Sequence, residues 1–176
     1  MAPKHDMQQV IDEFLNSKKA ILGADNHFEW VSGYSQYECK AKFPIILDGE
    51  SQQHARFELT GFTNSTELKF RLALCFGAII CRLDYTDETH ANILRLSEEN
   101  LPSVVHGPHY HSWNINRRFF KGVKPLQKPA PKLENAEIFK MRGNFDSILR
   151  WFCAEVNIEP LSSAHLISLP SRDFLL

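Results

Sequence analysis

The sequence predicts an α+β fold: a curved antiparallel β-sheet, laid out as a meander, flanked by an N-terminal and a C-terminal helix. Three observations carry this. Apolar and polar residues alternate with a period of two through most of 37–85, apolar residues at helical spacing lie on either side, and turn residues separate the alternating runs. With 176 residues the chain has the size of one domain, spanning 1–176, and its 43% hydrophobic and 23% charged residues suit a chain that packs a core.

The first helix is expected over 6–22, where Met7, Val10, Ile11, Phe14 and Leu15 recur at helical spacing behind Asp6 as cap. Gln9 is placed to reach back to that cap, and Gly23 can take the left-handed conformation that closes the helix. His27 to Val31 reads as a short strand. Ser32-Gly33 then turns into a strand in which Tyr37, Cys39, Ala41 and Phe43 alternate with Glu38, Lys40 and Lys42. Pro44 weakens its ladder and Asp48-Gly49 supplies the next reversal. Another strand follows, Ala55, Phe57 and Leu59 inward and His54, Arg56, Glu58 and Thr60 outward, closed by Thr63-Asn64-Ser65.

Leu68, Phe70, Leu72, Leu74 and Phe76 form the longest strict alternation and predict a central strand, with Lys69 and Arg71 on its other face. Gly77 is either a tight reversal or a bulge before Ile79, Cys81, Leu83 and Tyr85. The acidic, weakly patterned stretch 86–108 is the kind of connection that carries function or closes over a site. A strand is expected to resume at His109 and run through Phe120, and a surface crossing with Pro125, Pro129 and Pro131 follows. Asn144 caps a second helix over 144–157, marked by Phe145, Ile148, Leu149, Phe152, Cys153 and Val156. AEIFKM before it is a helical turn or an edge strand, and the tail 161–176 is expected in a surface groove. Five to seven strands result.

Several function classes are excluded. The formal charge of −1 leaves no global basic field to draw the chain onto nucleic acid or anionic lipid. No apolar stretch reaches the roughly 18 residues of a membrane helix, and MAPKHDMQQV has no signal-like apolar region, so no membrane partner and a cytoplasmic location are expected. Cys39, Cys75, Cys81 and Cys153 lie in apolar patterns with no Cys-x-x-Cys spacing and read as reduced core residues. Phosphate-binding glycine loops, nucleophile elbows, helix-turn-helix patterns and zinc-finger spacings are all missing.

Chemistry is concentrated in His106-Gly107-Pro108-His109-Tyr110-His111-Ser112-Trp113-Asn114-Ile115-Asn116-Arg117-Arg118. On a strand, His109, His111, Trp113, Ile115 and Arg117 would share one face. Four readings are open. Two imidazoles can act as base and acid on an RNA 2′-hydroxyl and its leaving oxygen, with Arg117 on the phosphate. Tyr110, Trp113, Arg118 and Lys121 would then bind substrate. Alternatively His106, His109 and His111 ligate zinc, completed by His90, Asp84, Asp87 or Glu88; apart from zinc no cofactor is expected. The histidines can instead be half-buried sheet residues, or the segment can be an aromatic and cationic surface for a protein partner. Lys121, Lys124, Lys128 and Lys132 could touch a nucleic-acid backbone or simply solvate a connector.

The segment FRLALCFGAIICRLDY…VVHGPHYHSWNINRRF resembles small bacterial proteins of toxin–antitoxin and mobile-element loci, among them TumE-like toxins. Those carry an H-x-x-P-H-x-H type segment after a meander, and His106, Pro108, His109 and His111 are the comparable residues here, at a different spacing. The resemblance covers about the middle third of the chain. It implies a toxin acting on RNA, with these histidines in or beside its site and an antitoxin as partner.

Overall fold

The computed structural model describes residues 7–22, 30–35, 37–64, 67–93, 100–117, 133–159, 167 and 169–170. In chain order the elements are α1 (Met7–Asn16), β1 (Lys19–Ile21), β2 (Val31–Ser32), β3 (Glu38–Leu47), β4 (Glu50–Phe62), β5 (Phe70–Phe76), β6 (Ala78–Tyr85), β7 (Thr89–Ala91), β8 (Val104–His106), β9 (His109–His111), α2 (Trp113–Asn116), β10 (Glu137–Ile138) and α3 (Phe145–Glu155). Among the described residues eight strands form one open, curved sheet in the order β1-β3-β4-β5-β6-β9-β10, with β2 also on β3. Every pair within it is antiparallel. The strands β7 and β8 form a separate hairpin.

The turn chemistry works as the residues allow. Asp48 and Gly49 both take positive φ, 52° and 79°, which matches a two-residue hairpin to the twist of β3 and β4. Pro44 sits where the β3–β4 register shifts, between Pro44 and Ile46. At Gly77 the tight reversal is the alternative that occurs. Its φ of 72° brings Phe76 opposite Ala78 in a tight reversal, and the register then slips so that Leu74 faces Cys81 while Cys75 faces Ile79. The extra residue, Ile80, is fully buried, and Ile79 is only partly so.

One sheet face is the dry one. Phe43, Phe57, Leu59, Phe70, Leu72, Leu74 and Leu83 are almost wholly buried there, against Ile11 and Phe14 of α1 and Ile148, Leu149 and Phe152 of α3. Ring pairs mark the contact: Phe14 with Phe76 at 4.7 Å, Phe57 with Phe152 at 6.0 Å, and Phe70 edge-on to Phe145 at 4.9 Å. All four cysteines are free and buried. No helix among the described residues is long and apolar enough to cross a membrane.

Three features differ from expectation, the first being that the sheet holds eight strands where five to seven were expected. α1 ends at Asn16, and residues 19–21 pair with β3 as an edge strand. The cause is Lys19, whose buried ammonium donates to the carbonyls of Phe14 at 2.7 Å, Leu15 at 3.1 Å and Ser17 at 2.6 Å, closing the helix early. AEIFKM contributes an edge strand, β10, on β9. Asn144 accepts from the Ser147 amide at 2.9 Å and starts α3 at Phe145, and a Cβ at Gly143 would meet Ser147 Oγ at 2.4 Å. The third difference is the strand from His109, which stops at His111 and yields to α2. Asp6, Gly23, residues 27–29 and most of the tail lie outside the described residues, though Ile167 is buried and Leu169 packs on the core.

Candidate functional site beneath the hairpin

The other sheet face is polar by the same alternation that makes the first face dry. Pairing register places Arg71 opposite Asp84 and Asp84 opposite His109, and in the neighbouring row Ala73 opposite Arg82 and Arg82 opposite His111. Arg82 and Asp84 therefore stand two apart on β6, beside His109 and His111 two apart on β9. The hairpin of β7 and β8 lies over them. His90 of β7 stacks on His109, centroids 5.6 Å apart, and meets His111 edge-on at 4.6 Å.

The result is a buried polar cluster: Asp84 is 1%, His109 2% and His111 0% exposed. Asp84 Oδ2 is its centre. It lies 2.7 Å from Arg82 Nη2, 3.2 Å from His109 Nε2 and 3.3 Å from His111 Nε2, while Oδ1 lies 3.1 Å from Arg71 Nε. Each imidazole is oriented by a main-chain carbonyl on its far side. His109 Nδ1 is 2.7 Å from Gly107 O, His111 Nδ1 2.9 Å from Asn135 O, and His90 Nε2 3.1 Å from Glu134 O. A carbonyl can only accept, so those nitrogens carry hydrogen. One ring nitrogen from each of His90, His109 and His111 lies within 4.8 Å of the others, and the nitrogens that no carbonyl engages are His109 Nε2, His111 Nε2 and His90 Nδ1.

Charge separates the two strand histidines. Burial pushes His111 down to about 4, with Arg82 adding to this, so it is a neutral base whose Nε2 accepts from Arg82 Nη2 at 3.0 Å. Burial also acts against a charged His109, but its hydrogen bond to Asp84 and its bond to Gly107 prevail and raise it above the ordinary imidazole value. Asp84 is raised by burial and lowered more strongly by His109, His111 and Arg82, ending well below the usual carboxylate range. The cluster thus holds an imidazolium, a neutral imidazole, a carboxylate and two guanidinium groups.

Three asparagines, none of them anticipated, hold the cover in place. Asn116 donates to Ser112 O and Asn135 O, both at 2.9 Å, and accepts from the Asn135 amide at 2.9 Å. Asn135 Oδ1 accepts from the Ile93 amide at 2.9 Å, and Asn92 both donates to Ala136 O and accepts from its amide. The described parts of the 86–108 stretch, 86–93 and 100–108, therefore lie over the histidines, tied further by Glu88 to Arg71 and by Asp87 to Lys69 at 2.7 Å.

Of the residues expected at the site, His109 and His111 come together and others do not. Because the chain turns helical after Ser112, Arg117 leaves the strand and pairs with Asp12 on α1 at 2.5 Å. Trp113 is buried with Nε1 donating to the same carboxylate at 2.6 Å. Tyr110 faces the dry side against Trp151 and Phe152. As a phosphate ligand, two substrate contacts and surface anchors, these three are corrected. His106 is exposed on β8 with Nδ1 3.0 Å from Thr89 Oγ1, so the imidazole triad is His90, His109 and His111 in place of His106, His109 and His111. Arg118, Lys121, Lys124, Lys128 and Lys132 lie outside the described residues.

Arg82 and Arg71 are members of the cluster that the sequence did not single out. Their signal was the alternation itself, since Arg82-x-Asp84 falls on the face opposite Cys81 and Leu83. No family model matches this chain, and neither does any curated protein or solved structure.

Proposed function

We propose that the chain is a metal-independent ribonuclease whose working groups are His111 as base, His109 as acid, Asp84 as the carboxylate that holds His109, and Arg82 with Arg71 as phosphate partners. The observation that carries the reading is the convergence of two imidazoles of opposite protonation on one buried carboxylate oxygen between two arginines. Such a group is expensive to bury, and replacing it by apolar packing would be neutral or stabilising, so its presence is better explained by chemistry than by stability.

In the reaction, His111 Nε2 takes the proton of an RNA 2′-hydroxyl. O2′ attacks phosphorus, the P–O5′ bond breaks, and the His109 imidazolium gives its Nε2 proton to O5′. The products are a 2′,3′-cyclic phosphate and a 5′-hydroxyl, after which the two imidazoles have exchanged charge states. Arg82, about a third exposed along its side chain, turns from His111 to the phosphate as the hairpin lifts. A toxin of this kind, neutralised by a protein antitoxin, is the role that the likeness to TumE-like toxins suggests.

The test is incubation of a mixed RNA pool with purified protein in EDTA, beside a His109→Ala/His111→Ala double variant shown by circular dichroism to be folded. Cleavage by the wild type that the double variant lacks supports the reading; cleavage that EDTA abolishes, or none at all, removes it.

A further inference from the structure

From the arrangement of His90 over the strand pair we infer that the cluster also takes one transition-metal ion of the zinc class, held by His90 Nδ1, His109 Nε2, His111 Nε2 and Asp84, and that the ion silences the proposed reaction. The metal site stands on geometry alone; the silencing rests on the ribonuclease reading.

His90 Nδ1, His111 Nε2 and, once its proton leaves, His109 Nε2 form the donor set that zinc prefers, with a carboxylate as fourth ligand. Their far sides are already fixed as they are around bound metals, each ring hydrogen-bonding a carbonyl: Gly107, Asn135 and Glu134. A tetrahedral ion bound at about 2.0–2.1 Å sets its ligands about 3.3 Å apart. The three nitrogens lie within 4.8 Å of one another, so the rings need close by no more than about 1.5 Å at the widest pair. His90 is on a hairpin and His109 and His111 are on the sheet, so such a contraction draws the hairpin down on the strand.

A second observation concerns the same carboxylate. Asp84 Oδ1 and Arg71 Nε are buried without a hydrogen-bond partner although 3.1 Å apart, so the under-satisfied oxygen is the one beside Arg71, while Oδ2 faces the imidazoles. Arg82 Nη2 now fills the space between Asp84 Oδ2 and His111 Nε2, acting as a stand-in cation. Its side chain is 30% exposed and has solvent to move into when an ion takes its place. Metal and proton transfer then compete for the same lone pairs. Bound metal removes the base from His111 and requires His109 to lose its proton, so an occupied site cannot run the reaction.

The experiment is a calorimetric titration of the metal-free chain with zinc chloride, repeated on His90→Ala and His90→Gln, with RNA cleavage assayed across the same zinc range. His90→Gln keeps an amide donor for Glu134 O and so protects the hairpin, while removing a good ligand. One equivalent should bind to the wild type, with affinity at least about tenfold weaker in both variants, and cleavage should fall in parallel with occupancy. Absence of saturable binding to the wild type, or binding that both variants leave unchanged, overturns the metal site. Zinc binding without inhibition overturns the silencing. If no RNA is cut even without zinc, the ribonuclease reading falls by itself, and the titration still decides the site.

Discussion

His111 Nε2 lies 3.0 Å from Arg82 Nη2, and its Nδ1 lies 2.9 Å from Asn135 O, so both ring nitrogens are engaged in a way that only the neutral imidazole satisfies. The acid sensitivity of the fold follows. With a folded value of about 4 and an unfolded value of about 6.5, the unfolded chain binds a proton that the folded one refuses. Stability therefore falls as pH drops from about 6.5 to about 4, by about 3 kcal/mol from this residue. His109 acts oppositely, since its raised value adds stability below about 6.5 that is lost as pH rises through the folded value. Urea midpoints in EDTA between pH 4 and pH 7 should show a steeper acid-side loss for wild type than for His111→Gln; equal slopes would contradict the neutral assignment.

Asp84→Asn tests the centre of the cluster. The amide keeps the shape but leaves two guanidiniums and a cationic His109 without their anion, and losing one partner of a buried ionic group costs about 3 kcal/mol. His109 should lose its elevated value at the same time. Chemical denaturation gives the first quantity and ring-proton titration by NMR the second.

Activity should depend on pH as a plateau with two limbs. The acid limb reflects protonation of the base, near the value of about 4 for His111, and the alkaline limb reflects loss of the His109 proton, above the ordinary imidazole value. The pair titrates as a unit, so the limbs belong to the couple. A profile of kcat/KM falling to half already near pH 6.5 on the acid side would exclude His111 as the base.

Asn92→Ala should loosen the hairpin while leaving the sheet intact, because its side chain bonds both Ala136 N and O and so links them to that hairpin. Hydrogen exchange at Ala136 and Ile93 is expected to quicken about fivefold, corresponding to a lost net hydrogen bond of about 1 kcal/mol, with β4 and β5 amides unchanged.

Lys19→Met removes three hydrogen bonds at the end of α1 and replaces a buried ammonium, held down to about 8 by burial, with an apolar chain of similar length. Three orphaned carbonyls should outweigh the gain in burial, for a net loss of about 1–3 kcal/mol in urea unfolding.

The dry face was legible in the sequence because its signal is local. Phe57, Phe70, Leu72 and Leu74 alternate, and Asp48-Gly49 admits few conformations other than the hairpin it makes. Short edge strands such as β1 and β10 were not legible in the same way. Two or three residues carry no period, and β1 begins where Lys19 closes the helix by bonding carbonyls two to five residues back. At the site, two of the three imidazoles were readable from spacing, as was the chance that 86–108 covers them. The end of β9 at His111 was not, since the helical turn that follows is held by Asn116 to a segment 19 residues further on. Arg117 was misplaced for that reason. Asp84 was readable only as one of several possible zinc ligands and Arg82 not at all, since only the hairpin folded over the sheet brings them into one covered cluster.

The ribonuclease reading makes one demand that other cleavage mechanisms do not, namely that the nucleophile is the RNA's own 2′-oxygen. The direct measurement is cleavage in EDTA of one oligonucleotide prepared both as RNA and with 2′-O-methyl groups throughout, with the product ends identified by mass spectrometry. The account expects the RNA to be cut to 2′,3′-cyclic phosphate and 5′-hydroxyl ends and the methylated strand to resist. Equal cutting of both strands, or no cutting of either by folded protein, would contradict it.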